Sequence, residues 1–591
     1  MKFSKLAGFI EKIEDNTSRL VITRLLSELF SELDISDIKE TVYLLQGRLT
    51  PLYEAVEFGM AEKMIIKGVI LALNLEKKLF NDRYKKIGDL GKTVEDYKKE
   101  IKSFEEKDLT IGQVYEQLYK LAIASGEGSQ ETKINILANL IRQLDHLSCR
   151  YLVRIPLGAM RLGFSDMTVL DALSWFIKGD KSLRSVIEKA YHVRPDLGLV
   201  GQIIKQKGIM GLKGIKPNIF TPILMMKAER LSSGKEIIKK IGRCAIESKY
   251  DGFRLQIHYR KKDNLVKLYS RNLEEVSLMY PDVSEGVKNE AKVEEIIFEG
   301  EAIGFDPRSG AFLPFQETAQ RKRKYGIEEK AKEIPLKLFA FDLLYLNGIN
   351  YLDSPYTKRR EKLSKAIQLT DDMSKNTILI AQENIADEEE KIEFYFDNAI
   401  ANGLEGIIAK KLDGIYQPGA RGWNWIKFKR SYSSKIQDTI DCLVMGYDLG
   451  RGKRADFGIG ALLVGIYDKK EERFVTIAKI GTGLTDKEWQ DIKKRGDRYK
   501  TDKKPPIYEV DKQMAVDIWI KPSIVIEIKA DEITRSPVHT AGRKMGSTGF
   551  ALRFPRLEKF RDDKRPEEVT TLKEVEEMFN GQGQNTSKIK K

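Results

Sequence analysis

The stretch 247–260, ESKYDGFRLQIHYR, places one lysine, Lys249, between a glutamate and a Tyr-Asp-Gly turn at the head of a strand-like run. A solvated surface lysine needs no such neighbours. A lysine held by a tight turn and followed by apolar alternation reads as a positioned group, because residues two apart on a strand share a face. In isolation a surface-turn lysine is still the commoner explanation, so the meaning of Lys249 rests on what surrounds it.

Working outward, short β-branched or aromatic runs bounded by turns dominate from residue 243: RLQIHYR, VKLYSRN, EEIIFEGEAIGFD and IPLKLFAFDLLYL. EEKIEFYFDNAIANG restores a helical period, so this region is expected to mix α and β. Upstream, residues 1 to about 210 read as helices. Ile22, Leu25, Leu26, Leu29, Phe30 and Leu33 keep the 3-and-4 spacing of one buried face, and INILANLIRQL and VLDALSWFI repeat it. GLKGIKPNIFTP at 211–222 is rich in Gly and Pro and marks entry into a second domain. After WIKFKR at 425–430, four or five strands within about 120 residues (TIDCLVMGYD, GALLVGIYD, RFVTIAKIG, SIVIEIKADEIT) suit a small barrel such as an oligonucleotide-binding fold. The expected divisions are 1–212 (all-α), 213–430 (α+β), 431–580 (β-barrel OB-fold) and a disordered tail at 581–591.

At 591 residues the chain is long enough for several cores. Lys and Arg number 102 against 88 Asp and Glu, a formal net charge of +14 that favours a polyanionic partner. The three cysteines are far apart and form no CxxC pair, and the four histidines are equally scattered, so neither a zinc site nor a disulfide framework is expected. Any metal should be held by carboxylates. No segment approaches 18 uncharged apolar residues, so a cytoplasmic protein without a membrane span is expected.

No GxxxxGK[ST] phosphate loop occurs. Nucleotide chemistry would then fall to a lysine nucleophile attacking an α-phosphate. Such an amine must be neutral, about three pKa units below its ordinary preference, which costs about 4 kcal/mol at pH 7. A nearby cation and a partly dry pocket lower that cost, and a divalent metal with Lys427 or Lys429 is the expected source.

The ordered motifs KYDGFR, YSRN at 269–272, FEGEAIGFD at 298–306, FAFDLLYLNG at 339–348, EGIIAKK at 405–411, WIKFKR at 425–430 and ALRFPRLEKFRDDKRP at 551–566 resemble the ATP-dependent DNA ligases. The resemblance is to the archaeal type, similar to the eukaryotic replicative enzymes, covers most of the chain, and implies that 1–212 is a DNA-binding domain and 213–430 the nucleotidyltransferase (adenylation) domain. It implies a covalent lysyl-AMP at Lys249, AMP transfer to the 5′-phosphate of a nick and attack by the 3′-hydroxyl, in DNA replication, repair and recombination. By the same resemblance, Glu247 reads the adenine amine and Phe341 stacks on the base. Arg254 and Arg271 contact ribose and phosphates, Arg421, Lys427 and Lys429 contact phosphates, and Glu301 belongs to the ATP site. Glu301 and Glu405 hold Mg²⁺, with Mn²⁺ as a substitute, and Arg561, Asp563 and Lys564 orient the pyrophosphate. Because that last group lies in another domain from Lys249, the domains are expected to reorient between steps. The implied partner is nicked duplex DNA, encircled by a monomer.

Several readings stay open. Glu299 and Glu301 alternate on one strand, as do Phe339 and Phe341, and only the resemblance favours the second of each pair. RKRK at 321–324 is either a solvated helix face or a phosphate contact, and GRGKR at 450–454 either follows a nucleic-acid backbone or is a plain hairpin turn. The segment IKSF at 101–104 lies where related ligases bind the sliding clamp, but Ile101 and Glu105 replace the glutamine and second aromatic. RNA ligase, capping guanylyltransferase and a non-catalytic DNA-binding protein are the rival functions.

Overall fold

The computed structural model describes the chain apart from residues 102–105, 307–311, 314, 324, 371–374, 402–403, 430–438, 451–457, 482–483, 485, 545–546, 554 and 585–591. Phe104, Arg451–Arg454 and Lys324, on which three of the sequence readings depend, therefore lie outside the described residues. Contacts divide the chain into two compact units, Met1–Phe428 and Lys429–Lys591.

The first unit begins with helices from Phe3–Glu14 to Leu197–Lys207 packed round one apolar core. Helix Arg19–Glu32 buries Ile22, Leu26, Leu29 and Phe30, the face expected from their spacing, and starts at Ser18, whose hydroxyl accepts from the Val21 amide. The expected boundary at 212/213 falls inside this unit, where helices give way to strands.

The Gly/Pro-rich entry segment is fastened to the sheet rather than left loose. Phe220 N donates to His258 Nδ1 at 3.0 Å, and Gln256 exchanges two hydrogen bonds with the backbone of Ile223. Burial pushes His258 down to about 3, so its neutral ring is the acceptor that the Phe220 amide requires. These bonds anchor the segment just before Met225, Met226 and Lys227.

Two sheets follow. One runs in the order Lys227–Arg230, Arg421–Lys429, Gly406–Lys411, Cys244–Lys249, Glu383–Ala386. The other runs Leu265–Ser270, Phe253–Arg260, Glu295–Gly304, Leu336–Leu346, Ile349–Asn350, with Ile378–Ile380 beside Leu336–Leu346. The KYDG turn carries the chain from Cys244–Lys249 in the first sheet to Phe253–Arg260 in the second. Gly252 is obligatory there, because a Cβ on it would stand 2.3 Å from the Ala302 carbonyl oxygen.

Arg321 of RKRK matches neither expectation. It is buried, clasps Asp282 through both terminal nitrogens at 2.9 and 2.7 Å and donates to the Ile334 carbonyl. A charge run on a short helix hid a core ion pair.

The second unit is strand-rich. Its main sheet follows the path Lys500–Thr501, Ile518–Ile520, Ile440–Asp448, Ala461–Asp468, Arg473–Ile480, Tyr508–Glu509, with Val525–Lys529 and Arg556–Phe560 branching from Ile440–Asp448. Glu532–Ser536 and Gly549–Arg553 form a separate two-stranded sheet. Strands thus exceed the four or five expected, and among the described residues the main path is open rather than closed on itself. Helix Leu572–Gln584 occupies the first four positions of the expected tail.

Candidate active site

Between the two sheets of the first unit lies a cavity of about 230 Å³. The sheet bearing Lys249 contributes Glu247, Ser248, Lys249, Ile408, Lys410, Arg421, Trp425 and Lys427 to its wall; the other side contributes Arg254, Arg271, Glu301 and Phe341. Of the residues singled out in the sequence for the nucleotide, all but Lys429 line it. Lys429 is the last residue of strand Arg421–Lys429, two places beyond Lys427. The wall carries the cations Lys227, Lys249, Arg254, Arg271, Lys410, Arg421 and Lys427 against the carboxylates Glu247 and Glu301, a balance suited to a polyphosphate.

Lys249 ends its strand opposite Gly406, and its carbonyl accepts from the Glu405 amide at 3.1 Å. This register sets Glu405 beside the lysine, and the two side chains form an ion pair. Glu301 faces them from the second sheet. Burial pushes its carboxyl up to about 7; Lys249, Arg254 and the Gly252 amide pull it down, and Glu405 pushes it further up.

The ambiguous strand pairs separate clearly. Glu299 is fully buried and serves structure: it accepts from Arg254 at 2.7 Å, Tyr416 at 3.0 Å and Gln256 at 3.2 Å, whereas Glu301 lines the cavity. Phe339 stacks on Tyr250 with centroids 4.1 Å apart and planes 18° from parallel. Phe341 faces the cavity, edge-on to Trp425 at 5.9 Å. Arg254 sits under both of those rings while its guanidinium bonds Glu299 and the Met226 carbonyl.

The site also holds residues to which the sequence reading gave no role. Lys410 is buried, donates to Glu247 at 2.7 Å and to the Phe341 carbonyl at 2.9 Å, and lies within 5.0 Å of the ring centroids of Phe341, Trp425 and Tyr356. Burial is the larger influence on its ammonium and lowers its proton affinity, while Glu247 opposes it. The Tyr356 hydroxyl lies 2.7 Å from Glu247 and 2.6 Å from Glu383 and shares its single proton between them, so the carboxylate expected to read adenine is oriented by Lys410 together with this shared hydroxyl. Alternation carried a usable signal: Trp425 shares a face with Lys427, and Lys410 interrupts the apolar run GIIA. Nothing in SPYTKRR marked Tyr356.

A family model for the ATP dependent DNA ligase domain matches residues 225–429, and models for the DNA ligase N terminus and the ATP dependent DNA ligase C terminal region match 2–174 and 455–564. The probable DNA ligase of Dictyoglomus turgidum is 47% identical over 583 residues, which span 98% of each chain. The chain belongs to the ATP-dependent DNA ligases. It is of the archaeal type, with 40% identity to the DNA ligase of Saccharolobus solfataricus over 98% of both chains. The solved structure Pmar-Lig_PreS3 shares the ligase fold over 94% of this chain and 99% of its own, with a TM-score of 0.54 and 17% identity. The helical N-terminal region, central nucleotidyltransferase domain and strand-rich C-terminal region are those of a DNA ligase. The enzyme uses ATP to act on DNA, and none of the helices among its described residues is long and apolar enough to cross a membrane.

Proposed function

We propose that Lys249 is the nucleophile of this ligase and that the cavity holds ATP. The observation carrying the proposal is the position of Lys249 in a wall with six further cations and the three aromatic rings of Tyr250, Phe341 and Trp425. Its Nζ leaves the ion pair with Glu405, gives up a proton and forms an N–P bond to the α-phosphate as the bond to the β-phosphate oxygen breaks and pyrophosphate departs. Transfer of AMP to a 5′-phosphate and attack by the 3′-hydroxyl, with loss of AMP, follow as two further in-line displacements. Phe341 and Trp425 supply apolar walls for the base, and Glu247, fixed by Lys410 and Tyr356, accepts from its exocyclic amine. Arg254, Arg271, Arg421, Lys427 and Lys429 meet ribose and phosphates.

Glu301 and Glu405 are the carboxylates suited to Mg²⁺ or Mn²⁺. Two are enough, since Mg²⁺ commonly takes one or two carboxylates and completes its shell with water and substrate phosphates. The raised proton affinity of Glu301, half-buried near a second carboxylate, is what a cation would relieve. Bound there, the ion would neutralise charge developing on the phosphate. In the second unit Arg561, Asp563 and Lys564 orient pyrophosphate. The domain limits 1–212, 213–430 and 431–580, an OB-fold for the last, a monomeric state, nicked duplex as substrate and a cytoplasmic location complete the proposal.

The test is sealing of a nicked duplex with ATP and Mg²⁺. Wild type should seal, while Lys249→Ala should fail with ATP yet seal a nick already carrying 5′-adenylate. Equal sealing of the plain nick by both proteins would remove Lys249 from the chemistry.

A further inference from the structure

The group expected to orient pyrophosphate is held by a carboxylate that none of the sequence motifs contains. Asp441, at the start of strand Ile440–Asp448, accepts Arg561 Nη1 on both oxygens at 3.1 Å and Lys564 Nζ at 2.6 Å. One buried side chain therefore ties together the two cations that bracket the motif, while Asp563 takes the remaining edge of the same guanidinium at 2.9 and 2.7 Å. Glu527 receives Arg561 Nη1 at 3.2 Å and pairs with Lys559 at 3.4 Å. The backbone around Asp441 is set independently of its carboxylate: its amide donates to Thr570 Oγ1, and its carbonyl accepts from the Thr570 amide, both at 3.0 Å.

A guanidinium and an ammonium this close repel each other, and the lysine stem has much rotamer freedom to lose on binding an anion. A shared carboxylate removes both costs by fixing the separation of the cations before a ligand arrives. Arg561 and Lys564 remain partly accessible, at 19% and 31% of their side-chain surface. From this we infer that Asp441 is a positioning residue for lysine adenylation, setting the spacing at which Arg561 and Lys564 meet the pyrophosphate leaving group. The inference rests on the role of those two residues proposed above.

The experiment measures the rate of AMP adduct formation from ATP and Mg²⁺ and, separately, the sealing of a pre-adenylated nick, which bypasses pyrophosphate release. Asp441→Asn keeps shape and backbone bonds but weakens the clasp. Adenylation should fall by about tenfold to a hundredfold, with sealing of the pre-adenylated nick unchanged and Asp441→Glu restoring part of the rate. Asp441→Asn combined with Lys564→Ala should lose less than the product of the single losses, as expected for groups acting as one unit. Unchanged or faster adenylation in Asp441→Asn would overturn the inference, as would an equal loss in both steps. If wild type itself formed no adduct, the nucleotidyl-lysine reading would fail instead.

Discussion

Replacing Glu301 by glutamine should change how the stability of the nucleotidyltransferase region depends on pH, and the size follows from the site. A carboxyl ordinarily titrating at 4.5 is pushed up to about 7 by burial, against the opposing pull of Lys249, Arg254 and the Gly252 amide. The folded state therefore keeps a proton through a range in which the unfolded chain has lost it. The sign is then fixed: stability falls as pH rises from 4.5, and the loss is complete above about 7. A rise of that size corresponds to about 3 kcal/mol. Glu301→Gln, of similar shape and without a charge, abolishes this contribution while every other titrating group stays. Amide hydrogen exchange on peptides from Cys244–Lys249 and Glu295–Gly304, corrected for intrinsic exchange rates, should show wild type losing about 3 kcal/mol more protection than Glu301→Gln between pH 4.5 and pH 8. Parallel profiles for the two proteins would refute the burial argument and, with it, the claim that Glu301 needs a cation.

Other outcomes follow from neighbouring contacts. Lys410→Met removes the nearest cation from the buried Glu247 carboxylate, leaving it Tyr356 and Arg360 at 3.6 Å, and should cost about 1.5–3 kcal/mol in denaturant unfolding; a loss under 1 kcal/mol would mean the pair is solvated. Phe341→Ala should raise the ATP concentration needed for half-maximal adenylation at least tenfold, whereas Phe339→Ala, which opens the stack on Tyr250, should act mainly on melting temperature. Gly252→Ala drives a methyl into the Ala302 carbonyl, so circular dichroism melts should show destabilisation together with lost adenylation.

Much of this was legible in the sequence because the governing signals are local. The period of Ile22, Leu26, Leu29 and Phe30 specifies a buried helical face without reference to anything distant. The cavity was legible through its motifs: Lys249, Arg254, Arg271, Glu301, Phe341, Arg421 and Lys427 converge on one space from six separate segments. What was hidden depends on pairing across the chain. Alternation puts Glu299 and Glu301 on one face, and only Arg254 and Tyr416, brought in from other segments, assign Glu299 to structure. Arg321 was legible only as a solvated or phosphate-contacting cation because its partner, Asp282, is 39 residues away. Asp441 was invisible for the same reason, lying 120 residues before the Arg561 it holds.

The most direct measurement of the central claim is intact mass followed by peptide mapping after incubation with ATP and Mg²⁺. The account predicts a gain of one AMP on the peptide containing Lys249, reversed by pyrophosphate and absent in Lys249→Ala. An AMP adduct on any other residue, or none on protein first cleared of AMP by pyrophosphate, would contradict it.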